Sequence, residues 1–240
     1  MKLMKLSQVL FLTLALAAVG SAVAGTHRVN GSISVAAQQQ AGDVSTVNGG
    51  IAIGDHASVK AVQTVNGAVA LNAGARATQV SSVNGAIELA PDAQVRGDVS
   101  VVNGAIELAK GATVGGNVST VNGRIQLAAA HVAGGISTVN GALDIGADSL
   151  VDGDLVVRRP GNSWFNIDSR PVRVVIGPRA VVKGRLKFER PVRLYISSSA
   201  RTGDISGAQA IPFVGAQPPQ GRSPRVPGAI AADTGRSGRW

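Results

Sequence analysis

The sequence predicts an all-β protein, a three-sided single-stranded β-helix (solenoid) with coils of about 18 residues, and three observations carry that prediction. The tripeptide Val-Asn-Gly occurs seven times, with Asn30, Asn48, Asn66, Asn84, Asn103, Asn122 and Asn140 at successive intervals of 18, 18, 18, 19, 19 and 18. A fixed short period held over more than a hundred residues marks a stack of like units. Aligned on Asn-Gly, apolar residues fall into columns: Val44, Val62, Val80, Val99, Val118, Ile136; Ile51, Val69, Ile87, Ile106, Ile125, Leu143; Ile53, Leu71, Leu89, Leu108, Leu127, Ile145; and Val59, Ala77, Val95, Val114, Val132, Val151. The two-residue step from the second column to the third is strand periodicity, and β-branched residues dominate. Three short strands and their turns use up one period. Nine or ten coils at ~4.8 Å each give a rod of roughly 45 Å.

In chain order, residues 1–24 read as a secretory signal: Lys2 and Lys5, an apolar run from Val9 to Val19, and the cleavage motif Ala22-Val23-Ala24. The mature chain is expected outside the cytoplasm, in a bacterial periplasm or on the cell surface. The chain has no cysteine, which excludes disulfide staples, thiolate metal sites and a Cys nucleophile. Residues 25–157 form the Asn-Gly repeat solenoid. Residues 158–171 are an insertion, in which Trp164 and Phe165 are suited to capping the apolar stack. Residues 172–208 resume the period in weaker form, and residues 209–240, rich in Pro, Gly, Ala and Arg, read as a disordered basic tail.

Asn and Gly both tolerate positive φ, so the pair is expected to form one corner of each coil, with the stacked Asn side chains bonding as a ladder. Asn-Gly between apolar runs is also a hairpin signal. Val stands before Asn in all seven repeats, however, and is read as a core position beside Val44, Ile51 and Ile53, which a two-residue hairpin would not give.

The stretch Val174 to Ile205, with its Ile-Gly-x-x-Ala-x-Val-x-Gly-x-Leu rhythm, resembles the bactofilins, polymer-forming bacterial β-helix proteins. Ala93-Gln94-Val95-Arg96-Gly97-Asp98-Val99 and Ala112-Thr113-Val114-Gly115-Gly116-Asn117-Val118 share the rhythm. That resemblance implies a right-handed helix, end-to-end polymerisation without nucleotide, and a scaffolding role. Bactofilins are typically cytoplasmic, so this chain would be an exported variant. Repeats of the type Ser-Thr-Val-Asn-Gly-x-Ile are also similar to uncharacterised adhesin-like β-solenoid domains, which implies a binding module for a polysaccharide or partner protein.

Charge divides the chain. Residues 25–156 carry six Lys/Arg against ten Asp/Glu, a balance of −4; residues 157–240 carry fifteen against four, a balance of +11. Arg179, Lys183, Arg185, Lys187, Arg190, Arg193 and Arg201 are the candidate patch for an anionic partner, with Arg222, Arg225, Arg236 and Arg239 in the tail. Cell-wall polymer, lipopolysaccharide and an anionic membrane surface are the partners that export leaves, beside self-association; nucleic acid is not expected.

No catalytic constellation is evident, and an enzyme is not expected. A coil of this length also suits hexapeptide acyltransferases, which need a catalytic His, but His27, His56 and His131 show no dedicated partner base or cofactor loop, and none is assigned. They are also too scattered to share a metal ion. Glu88, Glu107, Gln126 and Asp144 fall in one outer column, with Arg124 close by. This is read as a solvated acidic stripe, with weak divalent-cation binding as the alternative. The expected function is a non-enzymatic, self-associating scaffold of the cell envelope, with a basic end for attachment and no cofactor.

Overall fold

The computed structural model describes residues 25–160 and 171–219. The signal sequence, Trp164 and Phe165, and the four tail arginines lie outside the described residues. Every regular element among those described is a β-strand, and all strand pairs are parallel. One face of the solenoid is a ten-stranded sheet from Thr26–Asn30 to Ile205–Ser206. The second is a ten-stranded sheet from Ile33–Val35 to Ala210–Phe213. The third has seven strands, from Arg76–Ala77 to Arg201–Thr202, and is continued by single bridges through Ser58 and Gln40. About nine complete turns result.

Register sets like on like. Val44 pairs with Val62, Val62 with Val80, and the column continues through Val99, Val118, Ile136 and Leu155 to Leu186. All four apolar columns of the sequence reading are buried. Each fully buried Ile or Leu contributes about 1.5–3 kcal/mol, and the largest side chains that are fully buried are Ile and Leu. A fifth column was not legible as core: Ala57, Ala75, Ala93, Ala112, Ala130, Ser149 and Ala180, all buried. Each follows a residue of positive φ, in order His56, Gly74, Asp92, Gly111, Ala129, Asp148 and Arg179. The left-handed residue swings the chain inward at this corner, and only a small side chain fits behind it.

The Asn-Gly corner differs from the expectation. None of the seven Asn residues has a positive φ, and six of them end a strand. Glycine is needed because of close approach: a Cβ on Gly67 would fall on the carbonyl oxygen of Gly49, one on Gly85 on that of Gly67, and one on Gly123 on that of Gly104. Beneath this corner, inward hydroxyls tie four of the coils to the previous glycine, and Val101 takes the place in a fifth. Thr46 Oγ1 donates to Gly31 O (3.2 Å), Thr64 Oγ1 to Gly49 O (3.1 Å) and Ser82 Oγ to Gly67 O (3.2 Å).

The Val before each Asn is also not a core residue. Val44 and Thr46 point inward, so strand alternation turns Val47 outward, and its counterparts in the other repeats follow. Two boundaries shift as well. The solenoid continues past residue 208 with the strand Ala210–Phe213, which pairs with Val192–Ser197. After Gly215, which has a positive φ, Ala216 to Pro218 turn back along the second face and cover the outward side chain of Val175. The insertion lengthens one coil. Leu143 pairs with Val174 and Leu155 with Leu186, each a step of 31 along the chain where the Asn-Gly coils take 18 or 19.

Candidate functional site

The Asn column is the ladder the spacing predicts. Each Nδ2 donates to the Oδ1 one coil earlier: Asn48 to Asn30 (3.0 Å), Asn66 to Asn48 (3.0 Å), Asn84 to Asn66 (2.9 Å), Asn103 to Asn84 (2.9 Å), Asn122 to Asn103 (2.8 Å) and Asn140 to Asn122 (2.9 Å). The last acceptor, Asn140 Oδ1, takes a hydrogen bond from Arg190 Nη1, which also donates to Val139 O at 3.0 Å. The corner of Arg190 lies two coils beyond that of Asn140, and the arginine side chain spans this distance and is buried. Arg190 is therefore a strut of the fold and does not belong to an outward patch.

A second ladder lies at the start of the coils, where the sequence reading saw none. Asp43 Oδ1 accepts from Ala61 N (3.1 Å), Asp98 Oδ1 from Asn117 N (2.7 Å), Asn117 Oδ1 from Gly135 N (2.9 Å) and Asp154 Oδ1 from Arg185 N (2.8 Å). The visible signal was the recurrence of Asp or Asn directly before the first buried Val or Ile of a coil.

Four of the remaining basic residues are paired within the molecule. Arg179 grips Asp148 through two bonds, Nε to Oδ1 (2.7 Å) and Nη2 to Oδ2 (2.6 Å). Lys183 meets Asp152 at 2.8 Å, Arg185 meets Asp154 at 3.8 Å, and Lys187 meets Glu189 at 3.3 Å. The bidentate Arg179 guanidinium holds the Asp148 carboxyl below its ordinary value. Hydrogen bonds from Lys183 and then His131 lower Asp152, and the Arg159 backbone N–H followed by Lys187 lowers Glu189. Exposed pairs of this kind contribute little stability. Their larger effect is to cancel outward charge. Arg193 and Arg201 stay exposed without an ion pair among the described residues, and Arg193 stands in register beside Arg173 on the second face.

His131 does have a partner base. Its Nε2 lies 2.7 Å from Asp152 Oδ2, on the third face, while Lys183 holds the other carboxylate oxygen. The pair was missed because Asp152 sits diagonally from His131, whose register partner is Leu150. No hydroxyl hydrogen-bonds this imidazole among the described residues. His27 Nδ1 lies 2.6 Å from Ser45 Oγ, and His56 occupies the left-handed corner beside Gly74.

The acidic column is real as a row: Glu88, Glu107, Gln126 and Asp144 are successive register partners on the second face. It forms no ion pair with Arg124 among the described residues, and no cluster of three potential metal ligands occurs among them. In the terminal coils the same column becomes Val175, Tyr195 and Ile211. No helix among the described residues is long and apolar enough to cross a membrane. No family model, curated protein or solved structure matches the chain.

Proposed function

We propose that the chain is a self-associating structural protein of the bacterial cell envelope, exported by its N-terminal signal. The observation that carries this reading is the pair of strand edges that, among the described residues, are left unpaired at the ends of the stack. In a parallel ladder both polar groups of a residue point to the same neighbour. Ile33 N donates into the second coil, at Gly50 O, so Ser34 in the same strand directs its N–H and C=O away from the solenoid. His27 and Val29 do the same in the first strand, since Thr26 N donates to Asp43 O. At the opposite end Ser198 N donates to Phe213 O, so Ala210 and Pro212 face outward. Pro212 removes one N–H from that edge and leaves every carbonyl in place. Unpaired edges of this kind template the addition of another strand, and a solenoid presents them in register on successive faces.

The basic end would attach such a rod to cell-wall polymer, lipopolysaccharide or an anionic membrane surface. Arg173, Arg193 and Arg201 support that attachment better than the paired cations. Negative-stain microscopy of the protein from Gly25 onward tests the polymer. Native protein should form filaments, and Ser34→Pro, which deletes an outward N–H but no internal bond, should remain short. Native protein that stays a monodisperse monomer across a range of salt concentrations would overturn the proposal.

A further inference from the structure

The exposed apolar surface of this solenoid is concentrated in one straight row. Eight large hydrophobic side chains are exposed among the described residues, and six of them are the Val of the Val-Asn-Gly repeat: Val29, Val47, Val65, Val83, Val102 and Val121, at 38–67% exposure. Nothing inside the fold uses these side chains, because Thr46 and its counterparts supply the inward group at the corner. Beside the row runs a column of polar residues, Ser45, Gln63, Ser81, Ser100, Ser119 and Ser137, of which Ser100, Ser119 and Ser137 floor a shallow groove that Asp98, Asp154 and Arg158 border. From the second coil to the seventh these two columns carry no formal charge, whereas the second face carries Glu88, Glu107 and Asp144 and the third carries Arg76 and His131. The charge returns where the repeat ends, with Lys187 in the polar column.

We infer that this face is a lateral interface between two copies of the chain, each laying its valine row along the polar groove of the other. A second copy is the partner that fits because its apolar groups recur at the same ~4.8 Å as those it must meet, so one register aligns all six coils. A two-fold axis parallel to the rods sets row against groove on both sides and makes the contact self-complementary. The area sets the strength. Six coils of ~4.8 Å by a five-residue strand of ~17 Å cover about 500 Å² on each copy, or about 1,000 Å² in all. That is at the weak end of specific interfaces, below the ~1,200 Å² of a stable pair. Single rods should therefore pair only at high concentration, and rods joined end to end should pair firmly because the row continues from chain to chain. The inference deepens the self-association proposed above but does not depend on stacking of the ends.

The absence of cysteine makes a direct test possible. On the first face, Val102→Cys chains are mixed with an equal amount of Ser100→Cys chains, because this arrangement sets Val102 of one copy against Ser100 of the other; Glu107→Cys on the second face and Thr113→Cys on the third are the comparisons, all under mild oxidation at high protein concentration in an otherwise native chain carrying Ser34→Pro to suppress end stacking. The mixed disulfide-linked dimer of the first face should form at least tenfold faster than either comparison, and adding Val83→Lys and Val121→Lys should abolish that advantage without altering the far-ultraviolet circular dichroism. All three faces linking at one rate, or a faster reaction at the second or third face, would overturn the inference. Because Val102 and Ser100 lie mid-rod, end stacking cannot bring them together, so a failure here is separable from a failure to form filaments.

Discussion

Replacing Arg190 with Met tests whether one side chain ties its corner to that of Asn140 two coils earlier. The change keeps the aliphatic stem and deletes the guanidinium, so Val139 O and Asn140 Oδ1 lose the donor that Arg190 Nη1 gives both. A buried acceptor left without a donor costs about 1–3 kcal/mol, and a charged donor raises the loss. Val139 O is only partly exposed and bears most of that cost, whereas Asn140 is exposed, so water replaces its lost bond for a few tenths of a kcal/mol. The expected sum is about 2–3 kcal/mol. In a solenoid each coil contacts only its neighbours, so the effect should be local. Hydrogen exchange reads it directly: the amides of Asn140, bonded to Val121 O, and Arg158, bonded to Thr138 O, should lose roughly 30- to 150-fold in protection. The amides of Gly49 and Gly67, several coils away, should be unchanged. Protection at Asn140 and Arg158 within threefold of native would refute the strut, and so would an equal loss in every coil.

The glycine argument predicts an asymmetry between neighbouring residues. Gly85→Ala should cost about 1–3 kcal/mol because its Cβ meets the backbone carbonyl of Gly67, which cannot yield, while Gly50→Ala, whose nearest neighbour is Ala68 O at 3.3 Å, should cost well under half of that; equal urea midpoints would contradict it. Acid should loosen the C-terminal coils before the N-terminal ones. Asp148, Asp152 and Glu189 all have carboxyls lowered in the folded state, so their contribution is complete above the ordinary carboxylate range near pH 4 and is lost as pH falls through the lowered folded values. Exchange protection followed from pH 6 to pH 2.5 and corrected for intrinsic rates should fall first around Val181–Phe188. Simultaneous loss in all coils, or earlier loss around Val44–Ile53, would remove the basis for that order.

The period and the core were legible because they are local and repeated: an inward Val, Ile or Leu returns once in every coil, and stacking sets each directly above the last. The Asn ladder was legible for the same reason. The left-handed corner was not, since Gln38, His56, Asp92, Ala129, Asp148 and Arg179 are of five different residue types. Their conformation is imposed by bonds to neighbouring coils, such as Gln38 N to Asp55 O and His56 N to Ala73 O, and not by their own preference. The Val of Val-Asn-Gly was misread because recurrence alone does not distinguish a buried side from an exposed one. Strand parity decides that, and here Thr46 holds the inward place.

The basic patch shows the same limit. Counting residues found the cations but not their partners, because Arg179 with Asp148, Lys183 with Asp152 and Arg185 with Asp154 are each separated by 31 along the chain, a step that exists only because the insertion lengthens one coil. The amino-acid sequence by itself determined the solenoid, its period, its aliphatic core and the Asn column, since side chains that repeat in the chain must repeat in the stack. Only the tertiary structure decided which charges remain outward, which side chain ties the corner of Asn140 to a later coil and which apolar row is left exposed. Those depend on register across the insertion and on the parity of each strand, which composition and spacing do not encode.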